Sequence, residues 1–351
     1  MARISVLHLI GSPVDDFHAE LSRLYASACL AALVDPGRYD VHLAYIAPDG
    51  LWRFPAGLNG RALNQAVAMA LPDALTYIGM LKVDVVVPQL FCLPGMTAYR
   101  ALFDLLGIPY LGNTPEAMAI AADKAHARAI VAAAGVAVPA GEVLRRGDRS
   151  QLPLPVVVKP VDADNSVGVS LARDPAQFAA AVELAWAHSD SALVESYVEL
   201  GREVRCGIII RDGELICLPL EEYAVDPVTK PIRGRDDKLA RTDDGELYLV
   251  AKEATRAWIV DVDDPLTERV WAAARRCHIA LGCRHYSLFD FRIDADGNPW
   301  FLEAGLYCSY APGSVIAVMA AAIGIDVTEL FAMTLAELKN NESAPCLTSS
   351  R

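Results

Sequence analysis

The chain has 351 residues, 54% hydrophobic and 21% charged, which supports roughly two or three units with real cores and excludes disorder as the main state. Its 44 acidic residues against 31 basic ones give a net charge of −13. That balance repels a phosphate backbone and excludes general nucleic-acid binding, while a locally positive cleft stays open to small anions. No apolar run approaches the ~20 residues of a bilayer span, and residues 314–325, the longest, are Ala-rich. The start, MARISVLHLIGS, reads as a first strand and not as a secretory leader. Eight scattered cysteines without a C-x-x-C pair argue against a disulfide framework. The expectation is a soluble, cytoplasmic, globular protein without nucleic-acid or membrane partners.

In chain order, residues 4–10, 41–46 and 83–88 read as strands and 17–33, 64–79 and 98–106 as helices, with 108–111 closing the unit. Such alternation predicts a parallel sheet covered by helices. A long helix is expected over 115–134, started by Asn113-Thr114 and stopped by Gly135. From Gly141 the texture changes. Prolines bracket 156–159, DADNSVGVS makes a small-residue loop, and a helix at 175–188 with strands at 193–196, 204–210 and 215–218 reads as a compact α+β module. Residues 225–248 are polar, rich in Pro and Gly and aperiodic, as in a functional lid. A helix at 266–281, strands at 286–293 and 299–303, and two Ala-rich helices to about 338 follow. The end, NNESAPCLTSSR, reads as a mobile tail.

The most informative segment is SLFDFRIDADGNPWFLEAG, residues 287–305. Asp296-Gly297 signals a type I′ hairpin turn. That turn sets Asp290 opposite Glu303, Arg292 opposite Phe301 and Phe291 opposite Leu302. Alternation then puts Phe289, Phe291, Ile293, Trp300 and Leu302 on one apolar face and Asp290, Arg292 and Glu303 on the other. Two opposed carboxylates repel unless a cation lies between them, and all-oxygen ligands suit Mg²⁺ with nucleotide phosphates; the plain alternative is a solvated face neutralised by Arg292. Lys159 ends the strand-like VVVKP just before a loop whose backbone N–H groups can meet phosphate, yet taken alone it reads first as a surface lysine. Glu203 suits ribose hydroxyls or, equally, a surface ion pair with Arg205. Cys277, His278, Cys283 and His285 match no common zinc spacing. No P-loop, G-x-G-x-x-G or G-x-S-x-G motif is present.

ADK at 122–124, VVVKP at 156–160, NSVGVS at 165–170, VES at 194–196, GREV at 201–204 and FLEAG at 301–305 stand in the order found in D-alanine–D-alanine ligases. The chain resembles that ATP-grasp family over residues 4–330. The resemblance implies a three-domain ATP-grasp fold, α/β followed by α+β. Its units would be an N-terminal domain over 1–113, a central one over 114–218 and a C-terminal one over 219–339, the last carrying the lid 225–248 before the tail 340–351. It implies ATP and Mg²⁺. Lys124 and Lys159 would meet the phosphates and Asn165, Ser166 and Gly168 would cover them. Val198 would face adenine beside Glu195 and Tyr197, Glu203 would take the ribose, Lys238 would close the lid, and Asp290 and Glu303 would hold the metal. Ser314 falls where such ligases bind the second substrate's carboxylate.

Departures concern the donor side. The family's His-Gly is Leu90-Phe91 here, its arginine two residues before the metal Asp is Leu288, its metal-binding asparagine is Gly305, and its first-loop glutamate is His18, with Glu20 nearby. Longer stretches, among them VPQLFCLPGMTAYRALFDLLGIPYLGNTPEAMAIAADKA and CRHYSLFDFRIDADGNPWFLEAGLYCSYAPGSVI, are similar to the ligases that join an amino acid to mycosporine-glycine. This implies phosphorylation of a ring carbonyl and displacement by the amine of serine, threonine, glycine or alanine. Arg292 is then expected to replace the missing arginine, with His18, Glu20, Tyr307 and Ser314 facing substrates and a homodimer as the assembly. A D-alanine–D-alanine or other dipeptide ligase, and a nucleotide-binding regulator without turnover, are the alternatives.

Overall fold

Three larger sheets and one two-stranded pair, each seeded by a different stretch of the chain, frame the described residues. The computed structural model describes residues 3–164, 166–233, 239–241, 247–249 and 256–343. The N-terminal region runs β1 (Ile4–Gly11), α1 (Asp16–Ala32), β2 (Tyr39–Ile46), β3 (Trp52–Arg53), α2 (Gly60–Gln65), α3 (Leu71–Leu81), β4 (Val85–Pro88), α4 (Leu93–Met96) and α5 (Ala98–Leu106). Its sheet is ordered β3-β2-β1-β4, with β1 parallel to both β2 and β4. The single helix expected over 64–79 is two, because Met69 pairs with Trp52 between them. Gly11 takes a φ of +103°, and a Cβ there would lie 2.0 Å from the Ile46 carbonyl oxygen, so the end of β1 requires glycine.

Next come α6 (Pro115–Ala122) and α7 (Lys124–Ala133). The sequence suggests one helix, but Asp123 is extended (φ −95°, ψ 106°) and caps the second by accepting from His126 N at 2.8 Å. An Ala-rich run carries no sign of such a break. The central sheet follows: β5 (Gly141–Arg145), β6 (Val156–Pro160), β7 (Ser170–Ala172), α8 (Pro175–Trp186) and β8 (Ser191–Ser196), ordered β5-β8-β6-β7 and antiparallel. It has its own core around Val156, Val158, Ala185 and Val194.

The last sheet is built from β9 (Arg202–Arg211), β10 (Glu214–Cys217), β11 (Glu221–Tyr223), β14 (Ala257–Ile259), β15 (Tyr286–Ile293) and β16 (Pro299–Gly305), in the order β14-β11-β9-β15-β16 with β10 beside β9. The short pair β12 (Leu239–Arg241) and β13 (Leu247–Leu249) stands apart from it. The helices α9 (Thr267–Ala280), α10 (Val315–Ala321) and α11 (Val327–Ser343) complete the chain. Strand β9 pairs with β15 and β10 pairs with β9, so neither strand joins the central sheet, although both precede the boundary expected at 218. At the boundary expected at 113 the chain is held by side-chain bonds. Asn113 is fully buried; its Nδ2 donates to Tyr286 O (2.9 Å) and Leu306 O (2.8 Å), and its Oδ1 accepts from Arg284 N (2.6 Å). One apolar cluster joins Val6, Val85 and Leu111 to Ile209, Leu218 and Phe331, fusing the first and last regions.

Candidate active site

The register of β9 against β15 decides the chemistry of the face they share. Asp290 pairs with Arg205 and Arg292 with Glu203, so alternation sends all four side chains to one side while Val204, Cys206, Phe289 and Phe291 enter the core on the other. Two reciprocal ion pairs result. Arg205 grips Asp290 through Nε and, at 2.6 Å, through Nη2, and Arg292 Nη2 stands 2.8 Å from Glu203. The Glu203–Arg205 pair considered from sequence does not form, because each residue meets its cross-strand partner. Burial disfavours the Arg205 charge, but Asp290 beside it more than compensates and raises its pKa well above the usual arginine value.

Across the hairpin, Asp290 does face Glu303, by a route different from the expected one. Asp296 is not in the left-handed region, so no type I′ turn forms. Residues 294–298 make a longer loop held by Asp294, which accepts from the backbone N–H groups of Asp296 and Asn298 and from Trp300 Nε1. Ile293 pairs with Pro299 and Phe291 with Phe301, and a bulge then restores the register at Asp290. The corrected apolar face carries Phe301 in place of Trp300 and Leu302.

Two cavities flank this face. The first has apolar and aromatic walls, among them Tyr25, Phe91, Met118, Leu288, Leu306 and Tyr307, with Ser314 in the lining. Phe91 packs against both Tyr25 (5.3 Å between ring centroids) and Tyr307 (5.4 Å). Tyr307 donates its hydroxyl to Asp164 at 3.1 Å, and that carboxylate together with burial pushes its pKa well above the usual phenol value. Burial pushes Tyr25 up to about 12, so both rings stay neutral at working pH.

The second cavity is lined by Lys159, Glu195, Tyr197, Val198, Glu203 and Arg292, with Ser166 also present. Lys159 is no surface lysine: it is buried, with Nζ 2.7 Å from Glu195 and 3.3 Å from Leu302 O. Glu195 also meets Arg128 at 3.2 Å. Ser166 (φ +57°) and Gly168 (φ +71°) are left-handed, and a Cβ on Gly168 would lie 2.8 Å from the Pro160 ring. Arg292, expected to stand in for the missing arginine near the transferred phosphate, lines this cavity. Its guanidinium is held by Glu203, Val198 O (3.3 Å) and Pro231 O (2.9 Å) and lies 5.4 Å from the Tyr197 ring centroid.

Lys124, Arg233, Asp290 and Glu303 line both cavities, and the two meet there. Lys124 is the first residue of α7. Its backbone N donates to Val161 O at 2.9 Å and its ammonium to Ala163 O, which ties the helix to the small-residue loop. Arg233 packs over the Tyr223 ring at 3.4 Å. From sequence Arg205 is considered only as an ion-pair partner of Glu203 and Asp164 only as part of the small-residue loop, while Arg233, in PIRGR, is not singled out at all. Neither His18 nor Glu20 lines either cavity. His18 Nδ1 pairs with Asp15 at 2.8 Å, while Leu21 and Tyr25 of the same helix line the first cavity. Asn165 and Lys238 lie outside the described residues.

Two opposed carboxylates at a cavity junction are a donor set that fits Mg²⁺ when phosphate oxygens complete it. Among the described residues no group of three or more His, Cys, Asp or Glu could hold a metal alone. His278 bonds Ser287 (2.7 Å) and His285 accepts from Gly112 N (2.8 Å), both inside the core and not in a zinc site. Among the described residues no helix is long and apolar enough to cross a membrane.

Residues 133–336 match the family model described as D-ala D-ala ligase C-terminus. A D-alanine--D-alanine ligase of Mycolicibacterium gilvum is 31% identical, over 94% of this chain and 96% of that one. Among solved structures, the VanG D-Ala:D-Ser ligase of Enterococcus faecalis superposes with a TM-score of 0.74 at 21% identity, covering 95% of this chain and 99% of that one. A Bacillus anthracis D-alanine--D-alanine ligase complexed with ATP gives 0.71 at 19% identity, covering 97% and 100%. At those identities the two structures speak for the fold.

Proposed function

The chain belongs to the D-alanine–D-alanine ligase family of ATP-grasp enzymes, and from that premise we propose that it is an ADP-forming carbon–nitrogen ligase that phosphorylates a donor oxygen with ATP and replaces the phosphate by an amino acid's amine. The observation that carries this reading is the meeting of two cavities over two cations and two carboxylates, Lys124, Arg233, Asp290 and Glu303. ATP fits the second cavity. Tyr197 and Val198 border the base, Glu203 takes the ribose hydroxyls, and Lys159 and Lys124 offset phosphate charge from two sides. Asp290 and Glu303 would hold Mg²⁺, which when bound neutralises charge on the phosphate oxygens. The first cavity holds the donor oxygen in line with the terminal phosphate, and its apolar walls keep water from intercepting the activated donor. The amine attacks the carbon bearing the new phosphate ester or anhydride, loses a proton, and expels phosphate. The central sheet, β5 to β8 with α8, acts as the cover over the nucleotide. Ser314, in the lining of the first cavity, suits the acceptor's carboxylate.

The donor has two readings. The names of the relatives favour an amino-acid carboxylate, hence D-alanyl-D-alanine or another dipeptide. The lining of the first cavity supports a second reading. Leu288, Phe91, Tyr25 and Tyr307 offer an apolar, aromatic slot suited to a flat ring such as the cyclohexenone of mycosporine-glycine, whose carbonyl oxygen would take the phosphoryl group. One assay separates them: ATP, Mg²⁺ and mycosporine-glycine with a mixture of glycine, L-serine, L-threonine, L-alanine and D-alanine, read by mass and ADP release. A dipeptide establishes the first donor, and a ring product heavier by one amino acid less water establishes the second. No ADP release with either donor overturns the ligase reading.

A further inference from the structure

Besides the two cations that line both cavities, one further cation stands on the far side of the junction. Of the cations among the described residues that line the first cavity, Lys124 and Arg233 also line the second, whereas Arg205 lines the first alone. Arg205 is also the most firmly aimed. Asp290 fixes its guanidinium through Nε and Nη2, leaving Nη1 outside that pair, and the Tyr223 ring lies 5.4 Å from its Cζ. Bidentate pairing with a carboxylate sets the plane of a guanidinium as well as its position. Arg205 stands on β9 opposite Asp290 of β15, Leu288 of β15 stands opposite Gly305 of β16, and all four residues border the first cavity. An apolar residue and a glycine thus leave the guanidinium open to the cavity.

We propose that Arg205 is a catalytic residue that meets the phosphoryl group on the donor side as it leaves ATP, with Asp290 positioning it. In that step the bond from the β-phosphate bridging oxygen to the γ-phosphorus breaks, the bond from the donor oxygen to phosphorus forms, and ADP departs with the electron pair. The equatorial oxygens carry the charge throughout, and a preorganised guanidinium on the receiving side stabilises it from the donor cavity. The proposal rests on the junction being the phosphoryl-transfer site.

The test uses the full chain and its Arg205→Lys and Arg205→Met variants, with folding checked by thermal melting. ADP with Mg²⁺ is titrated by calorimetry first, then fluoroaluminate is added to the ADP complex as a mimic of the phosphoryl group in flight. Arg205→Lys keeps a charge beside Asp290 and should fold. The expected result is ADP affinity within about 3-fold of wild type for both variants, fluoroaluminate binding weakened at least about 100-fold, and kcat for ADP release down about 10²–10³-fold with little change in KM for ATP. Fluoroaluminate binding and kcat within a few-fold of wild type in Arg205→Lys would overturn the proposal and leave Arg205 as a counter-ion of Asp290. Wild-type protein that binds no ADP would overturn the site reading itself, and the proposal with it.

Discussion

Lys159 Nζ stands 2.7 Å from Glu195 Oε2 with both side chains almost wholly buried. Removing one partner of such a pair leaves the other as an uncompensated buried charge, at a cost of about 3–5 kcal/mol. Glu195→Gln should therefore lower unfolding stability by roughly 3 kcal/mol in the nucleotide-free protein. With a non-hydrolysable ATP analogue bound, the loss should shrink, because phosphate becomes the counter-charge of Lys159. Urea unfolding with and without the analogue measures both values; equal losses would mean that Lys159 does not meet phosphate.

Arg292 and Glu203 give a second expectation. Their pair lines the second cavity alone, so Arg292→Ala should release Glu203 and raise KM for ATP about 10-fold or more, in line with a lost charge-assisted hydrogen bond. The maximal rate should stay within a few-fold of wild type. A large fall in kcat at saturating ATP would instead put Arg292 in the chemical step.

Gly305 offers a gain of function. A Cβ built there would find only Leu288 side-chain carbons at 3.9 Å and the Leu288 carbonyl oxygen at 4.0 Å, ordinary contact distances, and its backbone is not left-handed. Gly305→Asn should fold and add an oxygen ligand beside Glu303, tightening divalent-cation binding several-fold in the presence of a nucleotide. Electron paramagnetic resonance of Mn²⁺ titrated into the nucleotide complex reads this directly. Unchanged Mn²⁺ affinity would show that position 305 does not face the ion.

Acid should destabilise the fold early. Burial lowers His8 and His278 to about 4 and, with Arg284 and Arg100 adding to it, His285 to about 3. These groups are neutral in the folded state, whereas the unfolded chain takes up protons near pH 6.5. Stability is therefore full above pH 6.5 and falls as pH drops toward 4, each histidine contributing up to about 1.4 kcal/mol per pH unit. Urea midpoints at pH 7, 6 and 5 should fall progressively. A flat profile over that range would mean that these rings are protonated or solvated in the native protein.

The facing of Asp290 and Glu303 shows how a local pattern can reach the right contact by a wrong path. Asp-Gly pointed to a two-residue turn, but the Asp294 carboxylate collects backbone and indole donors and stretches the loop by a residue's register, which the bulge at the Asp290 step then removes. Turn and bulge offset each other at Asp290 and nowhere nearer the loop, so Phe301 faces the core where Leu302 was expected. Periodicity and caps made β1, α1, α6's start and β15 legible because those signals act over a few residues. The pairing of Arg205 with Asp290 was not legible, because it depends on a register between strands more than eighty positions apart, and no local pattern encodes that. The break at Asp123, which sets Lys124 at a helix start, was hidden because alanine accepts either outcome.

The bonds of Asn113 have a mechanical consequence. They tie the N-terminal sheet to β15 and to the residues after β16, so the first and last regions form one fixed jaw. The central sheet keeps its own core and, joined through residues 134–140 and 197–201, forms the second jaw. Across the gap the jaws hold one another by Lys159 to Leu302 O and by Tyr307 to Asp164. Lys159 faces the second cavity and Tyr307 the first, so ligands entering the two cavities compete for those contacts, and the ammonium and phenol freed from them are groups that can meet what has entered.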